Sequence, residues 1–178
     1  MTDTEIKLLV LDVDGVLTDR GIYIDDEGRE FKRFDAADGA GLKMLMREGV
    51  EVAFLSGRAS QAVFHRASDL GVKHVMLGEK LKMPAFEALL EKTGLAAQQC
   101  ACVGDDLVDL PMMRAVGWSA APLDAQVEVK EVADCVTAAR GGHGVVREVA
   151  EVLLKRLGRW EKALERYMPG GEAEGNGA

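Results

Sequence analysis

Long apolar runs are missing from this 178-residue chain, and none reaches the ~18 residues of a membrane-spanning helix. A surplus of basic residues is missing too. The 22 Lys and Arg stand against 30 Asp and Glu, for a net charge of −8 with no basic stripe. That balance excludes nucleic acid or an anionic membrane as the main partner. Cysteine is scarce: Cys100, Cys102 and Cys135 are an odd number in a chain without a charged-then-apolar leader, so no disulfide framework is expected. The Cys-x-Cys pair has no histidine nearby and reads as two positions of a buried strand rather than a zinc site. There is no internal repeat. What remains is a soluble protein, expected in the cytoplasm, with one domain over residues 1–168 and roughly 70% of its unfolded surface buried. The Gly- and Glu-rich residues 169–178 are expected to form a disordered tail.

What is present is an alternation of two periodicities. Short apolar, partly β-branched runs at residues 6–11 and near Glu51, His74, Cys100, Trp118 and Cys135 predict strands. Residues 41–47, 60–70, 83–92, 107–116 and 126–132 predict helices between them. Val145, Val149, Val152 and Leu153, at helical spacing, predict a longer helix over residues 145–156. Such alternation predicts an α/β protein with a doubly wound, mostly parallel sheet. A β-hairpin interrupts it early, residues 22–24 and 30–34 turning through Asp25-Asp26-Glu27-Gly28.

The ends of the predicted strands carry the chemistry. Asp12 and Asp14 sit where the first strand stops, and side chains two apart on an extended chain project to one side. Paired acids cannot both be buried without a compensating cation or a raised pKa. Asp-Gly after a strand is also ordinary turn chemistry, so Asp14-Gly15 alone decides nothing. A second acidic cluster in the same context does: residues 99–103 read as a strand and are followed by Gly104-Asp105-Asp106 and Asp109. Carboxylates converging from two strand ends of one sheet describe a divalent-cation site, and oxygen-only ligands favour Mg²⁺ over zinc. Ser56-Gly57-Arg58 follows another strand where a helix begins, a place suited to phosphate. Lys82 opens a helical segment, where an ammonium balances phosphoryl and carboxylate charge. Taken singly, Ser56 is an ordinary N-cap and Lys82 an ordinary surface lysine; their order relative to the strands raises them above that.

In these residues the chain resembles the haloacid dehalogenase superfamily of aspartate-nucleophile phosphatases. Its four motifs stand here as Asp12-Val13-Asp14-Gly15, Ser56-Gly57-Arg58, Lys82, and Gly104-Asp105-Asp106 with Asp109. More narrowly, the chain is similar to the small capless branch that includes the 3-deoxy-D-manno-octulosonate 8-phosphate (KDO 8-phosphate) phosphatases. The narrower likeness rests on residues 15–19, residues 34–41 with Asp38-Gly39, Arg66 with Leu70-Gly71, residues 104–109 and residues 141–148, and spans about residues 6–157. Four positions depart from the branch's pattern. His143 stands where arginine is usual, Ala37 where a basic residue commonly precedes Asp38-Gly39, Phe64 where an acid is frequent, and Arg20 where glycine usually follows Thr18-Asp19. None of them is a residue of the core motifs.

The resemblance implies a Rossmann-like haloacid dehalogenase fold with a hairpin insertion and no cap domain. It also implies Mg²⁺-dependent hydrolysis of a sugar phosphate through a phosphoaspartyl enzyme. The expected substrate is KDO 8-phosphate, in lipopolysaccharide precursor synthesis, with a nine-carbon keto sugar acid phosphate or another sugar phosphate as the alternative. Asp12 is expected as nucleophile and Asp14 as general acid and base. Asp12, Asp105 and the backbone carbonyl of Asp14 are expected to hold Mg²⁺, with Asp106 and Asp109 orienting the groups around it. Ser56 and Lys82 are expected to hold phosphoryl oxygens. Arg58, Arg66, His143 and Arg147 are candidates for a substrate carboxylate or for subunit contacts. A two-stranded ribbon is marginal alone, so the hairpin is expected to pair with other copies in a homotetramer whose neighbours help close each pocket. A phosphate-accepting regulatory oligomer of the receiver type would share the acidic α/β site. Such modules usually lack an acid two residues after the phosphoacceptor, and Asp14 argues against one here.

Overall fold

The structure, a computed structural model, describes residues 5–168. The tail expected from residue 169 lies outside the described residues. The chain runs β1 (Leu8–Leu11), β2 (Tyr23–Ile24), β3 (Glu30–Phe31), α1 (Ala36–Arg47), β4 (Glu51–Ser56), α2 (Gln61–Leu70), β5 (His74–Leu77) and α3 (Lys82–Thr93). It continues through β6 (Cys100–Val103), α4 (Leu110–Ala115), β7 (Trp118–Ala121), α5 (Val127–Val132), β8 (Cys135–Val136), α6 (Val145–Arg156) and α7 (Trp160–Glu165). Six strands form one parallel sheet in the order β5-β4-β1-β6-β7-β8, and β2 and β3 pair apart as an antiparallel ribbon. Among the described residues this ribbon is the only insertion into the alternation, and no cap covers the strand ends. No helix among them is long and apolar enough to cross a membrane.

The period of two along β1 explains the layers. Leu9 and Leu11 point into one core with Leu42, Leu45, Val149 and Leu153, while Leu8 and Val10 point into the other with Phe86, Leu89 and Met112. A strand buried on both faces must be apolar throughout, as this one is. Helices α1, α2, α6 and α7 cover the first face, and α3, α4 and α5 the second. Leu11 lies between Phe54 and Val103 in register, so the loops after β1 and β6 leave the sheet side by side. The strand order reverses between these two strands, where open α/β sheets bind ligands.

Three elements differ from the sequence expectation. Helix α1 begins at Ala36, with the Asp35 carboxylate accepting from Ala37 N at 2.8 Å, not at residue 41. Gly39 and Gly41 disguised its first turn, and packing requires both. A Cβ on Gly41 would lie 3.0 Å from the Arg147 backbone, and one on Gly39 2.3 Å from the Arg66 guanidinium. Residues 107–116 split into a 3-10 turn, Leu107–Asp109, and the shorter α4, with Pro111 near its start. Helix α7 was not foreseen.

Helices α1 and α6 are tied by Asp38, whose Oδ1 accepts from Arg147 N at 2.8 Å. Asp38 is 1% exposed and its Oδ2 has no partner. Burial pushes its pKa up to about 6, although amides at the start of α6 favour the charged form. The native state therefore binds this proton more tightly than the unfolded chain. Its contribution is fully present below the unfolded value near 4 and is lost as pH rises through about 6. Urea unfolding of wild type and Asp38→Asn at pH 4.5 and 7.5 should show wild type losing on the order of 2 kcal/mol relative to the variant at the higher pH. Identical pH dependence in the two proteins would contradict this.

Candidate active site

The first acidic loop is wound tightly onto the end of β1. Asp12 N donates to Val103 O at 3.0 Å, and the Val13 carbonyl accepts from the backbone of Val16, Leu17 and Thr18. Val13 is buried in the core, so Asp12 and Asp14 flank it as the alternation requires. Gly15 takes a φ of +106°, and a Cβ there would stand 2.1 Å from Asp105 Oδ2. Only glycine lets the first loop lie against the second.

Around Asp12 the charges are packed closely. Lys82 Nζ is 2.6 Å from Asp12 Oδ1 and 2.6 Å from Asp109 Oδ1, and all three side chains are buried. Asp109 Oδ2 accepts from the amides of Asp105, at 3.0 Å, and Asp106, at 3.2 Å. Both oxygens of Asp109 are thereby engaged. Asp105 Oδ2 accepts from Arg20 Nε at 2.6 Å, while its Oδ1 is buried without a partner. Burial raises the pKa of Asp12 well above the usual carboxylate range; Lys82 pulls it down, and Asp109 and Asp105 add to the rise. Burial also raises Asp105, against the pull of Arg20. For Lys82 burial disfavours charge, but Asp12 and Asp109 outweigh it and hold the ammonium above its ordinary pKa.

Asp12, Asp105 and Asp109 each offer an oxygen within 4.8 Å of the others. An oxygen-only set containing an unpartnered buried carboxylate oxygen fits a hard divalent cation such as Mg²⁺.

Asp14 stands at the rim. Its Oδ1 is 2.5 Å from Lys32 Nζ, whose side chain is 1% exposed and comes from the residue after β3. Lys32 also lies 3.4 Å from Glu30 Oε1, and Glu30 Oε2 accepts from Arg58 Nη2 at 2.6 Å. The base of the hairpin thus touches the rim of its own chain's site. Ser56, buried at the end of β4, accepts from Arg58 N at 3.1 Å. Arg66, Arg147 and His143 do not join the carboxylate cluster. Arg66 pairs with Asp69 and lies over Phe34, Arg147 pairs with Glu151, and His143 Nδ1 is 2.7 Å from Gly141 O. Asp106 accepts from Leu107 N at the start of the 3-10 turn. Lys32 and Glu30 escaped the sequence reading. Their signal was there, two charged residues of the strand expected over residues 30–34 spaced to share a face, but nothing local said which acid they would meet.

A model of the haloacid dehalogenase-like hydrolases matches residues 74–149. The 3-deoxy-D-manno-octulosonate 8-phosphate phosphatase KdsC of Salmonella typhi is 44% identical over 164 residues, 92% of this chain and 87% of the relative. The Moraxella catarrhalis 3-deoxy-D-manno-octulosonate 8-phosphate phosphatase, solved with a magnesium ion, a phosphate ion and KDO, superposes with a TM-score of 0.91 at 36% identity. That match covers 93% of this chain and 95% of the other. The cobalt-bound Haemophilus influenzae deoxy-D-mannose-octulosonate 8-phosphate phosphatase gives 0.85 at 41% identity, covering 90% and 94%. Parallel sheet and paired acidic loops define the class of haloacid dehalogenase-like hydrolases. Within that class, the chain belongs to the 3-deoxy-D-manno-octulosonate 8-phosphate phosphatase family.

The Lys82 contacts make a prediction about folding. Removing one member of a buried charge cluster leaves the others uncompensated, a loss of about 3–5 kcal/mol. Urea unfolding of Lys82→Met in the absence of divalent ions should show a loss of that order, with Asp109→Asn added to it restoring part. Stability equal to wild type in the single variant would contradict the coupling.

Proposed function

We propose that this chain is a Mg²⁺-dependent phosphomonoester hydrolase that releases phosphate from 3-deoxy-D-manno-octulosonate 8-phosphate in lipopolysaccharide precursor synthesis. The observation that carries this reading is the buried set of Asp12, Lys82, Asp105 and Asp109 at the strand-order reversal, with an Asp105 oxygen left unpartnered. Asp12 attacks phosphorus. The P–O bond to the sugar breaks as Asp14 gives its proton to the departing alkoxide, and Asp14 then takes a proton from the water that cleaves the acyl phosphate. Lys32, whose side chain is buried, fixes where Asp14 points. Ser56 and Lys82 hold phosphoryl oxygens, and Asp109 and Asp106 orient Lys82 and the Asp105 loop. Asp12, Asp105 and the backbone carbonyl of Asp14 would hold Mg²⁺, which would supply the charge that offsets repulsion between carboxylate and phosphate. Arg58, Arg66, His143 and Arg147 are left for the sugar carboxylate or for subunit contacts.

Assembly and location belong to the same proposal. Ile22, Ile24 and Phe31 of the hairpin are 58%, 60% and 56% exposed, and Tyr23 stacks on Phe31 at 5.4 Å. The ribbon is too small to be stable alone, and exposed apolar side chains on both its faces, Ile22 and Ile24 on one and Phe31 with Tyr23 on the other, support a homotetramer in which hairpins of different copies meet. Free thiols at Cys100, Cys102 and Cys135 suit the reducing cytoplasm.

Phosphate release from KDO 8-phosphate tests the chemistry. Chelation should abolish it and Mg²⁺ restore it. Asp12→Asn should be inactive, because an amide cannot form the acyl phosphate. Asp14→Asn should lose roughly 10²- to 10⁴-fold with the sugar phosphate and less with an aryl phosphate, whose phenolate leaves without a proton. Full activity in excess chelator, or wild-type turnover by Asp14→Asn, would sink the assignment. Light scattering tests the assembly: the expected mass is four chains, reduced by Ile24→Glu with Phe31→Glu. A fully active wild-type monomer would contradict it.

A further inference from the structure

Arg20 takes no part in the chemistry above, yet its backbone is unusual. Its φ is +66°, and no other non-glycine among the described residues has a positive φ. L side chains rarely adopt that conformation, and it persists only where the surroundings hold it. Here the guanidinium does the holding. Nε donates to Asp105 Oδ2 at 2.6 Å, Nη2 donates to Asp124 O at 2.9 Å, and Nη1 lies 3.6 Å from Asp124 Oδ2. Asp124 is itself anchored, its Oδ1 accepting from Gly141 N at 3.0 Å, and a Cβ on Gly141 would meet Gly15 O at 2.2 Å. A Cβ on Gly15 would in turn lie 2.1 Å from Asp105 Oδ2 and 2.8 Å from Arg20 Nε. One closed ring of contacts therefore joins the loops after β1, β6, β7 and β8, with Arg20 as the member that reaches the acidic cluster.

We infer that Arg20 is the positioning residue for Asp105: it engages one carboxylate oxygen and leaves the other turned to the Mg²⁺ site. This rests on the reading of Asp105 as a ligand. Had Arg20 been a stand-in for the ion, its guanidinium would engage the inner oxygen. Instead Oδ1 is the buried oxygen without a partner, and Asp12 is paired with Lys82. A carboxylate with one oxygen tied is presented in a single orientation, which is how partners of metal ligands raise affinity.

Calorimetric titration of Mg²⁺ into the metal-free full chain tests this, with Arg20→Gly, Arg20→Lys and Asp105→Asn beside wild type. Glycine accepts the positive φ, so Arg20→Gly removes the guanidinium without backbone strain. The expected result is Mg²⁺ binding weakened 10- to 100-fold in Arg20→Gly, with Arg20→Lys in between. Loss of a nearby positive charge alone would act the other way, so unchanged or tighter binding in Arg20→Gly overturns the inference. If Asp105→Asn then still loses Mg²⁺, only the role of Arg20 has failed; if Asp105→Asn binds as wild type, the ligand reading itself has failed. Should Arg20→Gly not fold, Arg20→Lys decides: it keeps the charge and loses the planar fork, and wild-type affinity in it overturns the role.

Discussion

Three carboxylates, Asp12, Asp105 and Asp109, are buried with oxygens within 4.8 Å of one another, and such a group persists only if cations are buried with it. Removing an ion from water costs several kcal/mol even after relaxation, so each charge needs a partner at hydrogen-bonding distance. The partners come from separate segments. Lys82 is the first residue of α3, Arg20 lies in the loop after β1, and Lys32, which follows β3, serves the adjoining Asp14. The site is therefore complete only when α3 and the hairpin are docked on the sheet. Its electrostatics and the tertiary fold are one cooperative unit.

Topology explains why the carboxylates meet at all. Because β1 and β6 are neighbours in register, the chain leaves both strands at the same level, and the reversal of strand order opens a crevice between their loops. Closeness then becomes a steric matter. A Cβ at Gly15 would strike Asp105, and one at Gly104 would stand 2.4 Å from Asp109. The glycines are as much part of the site as the acids, since a side chain at Gly15 would push the two loops apart and one at Gly104 would displace Asp109 within the second loop.

That division decides what could be read from the sequence. The layered α/β fold was legible because β1 is apolar at every position and α6 carries its apolar residues at helical spacing. Asp12, Asp105 and Asp109 were legible as a group because they follow strand signals, and Lys82 because it opens a helix. The start of α1 was not legible: Gly39 and Gly41 weaken the helical pattern for the sake of contacts with Arg66 and Arg147, which are distant in sequence. Lys32 was hidden for the same reason, since its partner lies 18 positions away and is fixed by how the hairpin folds back. Arg20 showed only as a departure from a family pattern. Its partners Asp105 and Asp124 come together through strand order, and no local spacing encodes that.

The cationic compensation is also incomplete, and this sets the balance between stability and function. Lys82 is shared by two carboxylates, burial raises Asp12 and Asp105 above the usual range, and one Asp105 oxygen has no partner. A fully neutralised cluster would fold more readily and leave nothing for a cation to do. The deficit that costs the native state stability is the same deficit that draws a divalent ion. A cation that binds the native site and not the unfolded chain returns RT ln(1 + [L]/Kd), about 2.7 kcal/mol at a hundredfold excess over Kd. Arg20 tempers the deficit without filling it, because it engages Asp105 Oδ2 and leaves Oδ1 buried without a partner.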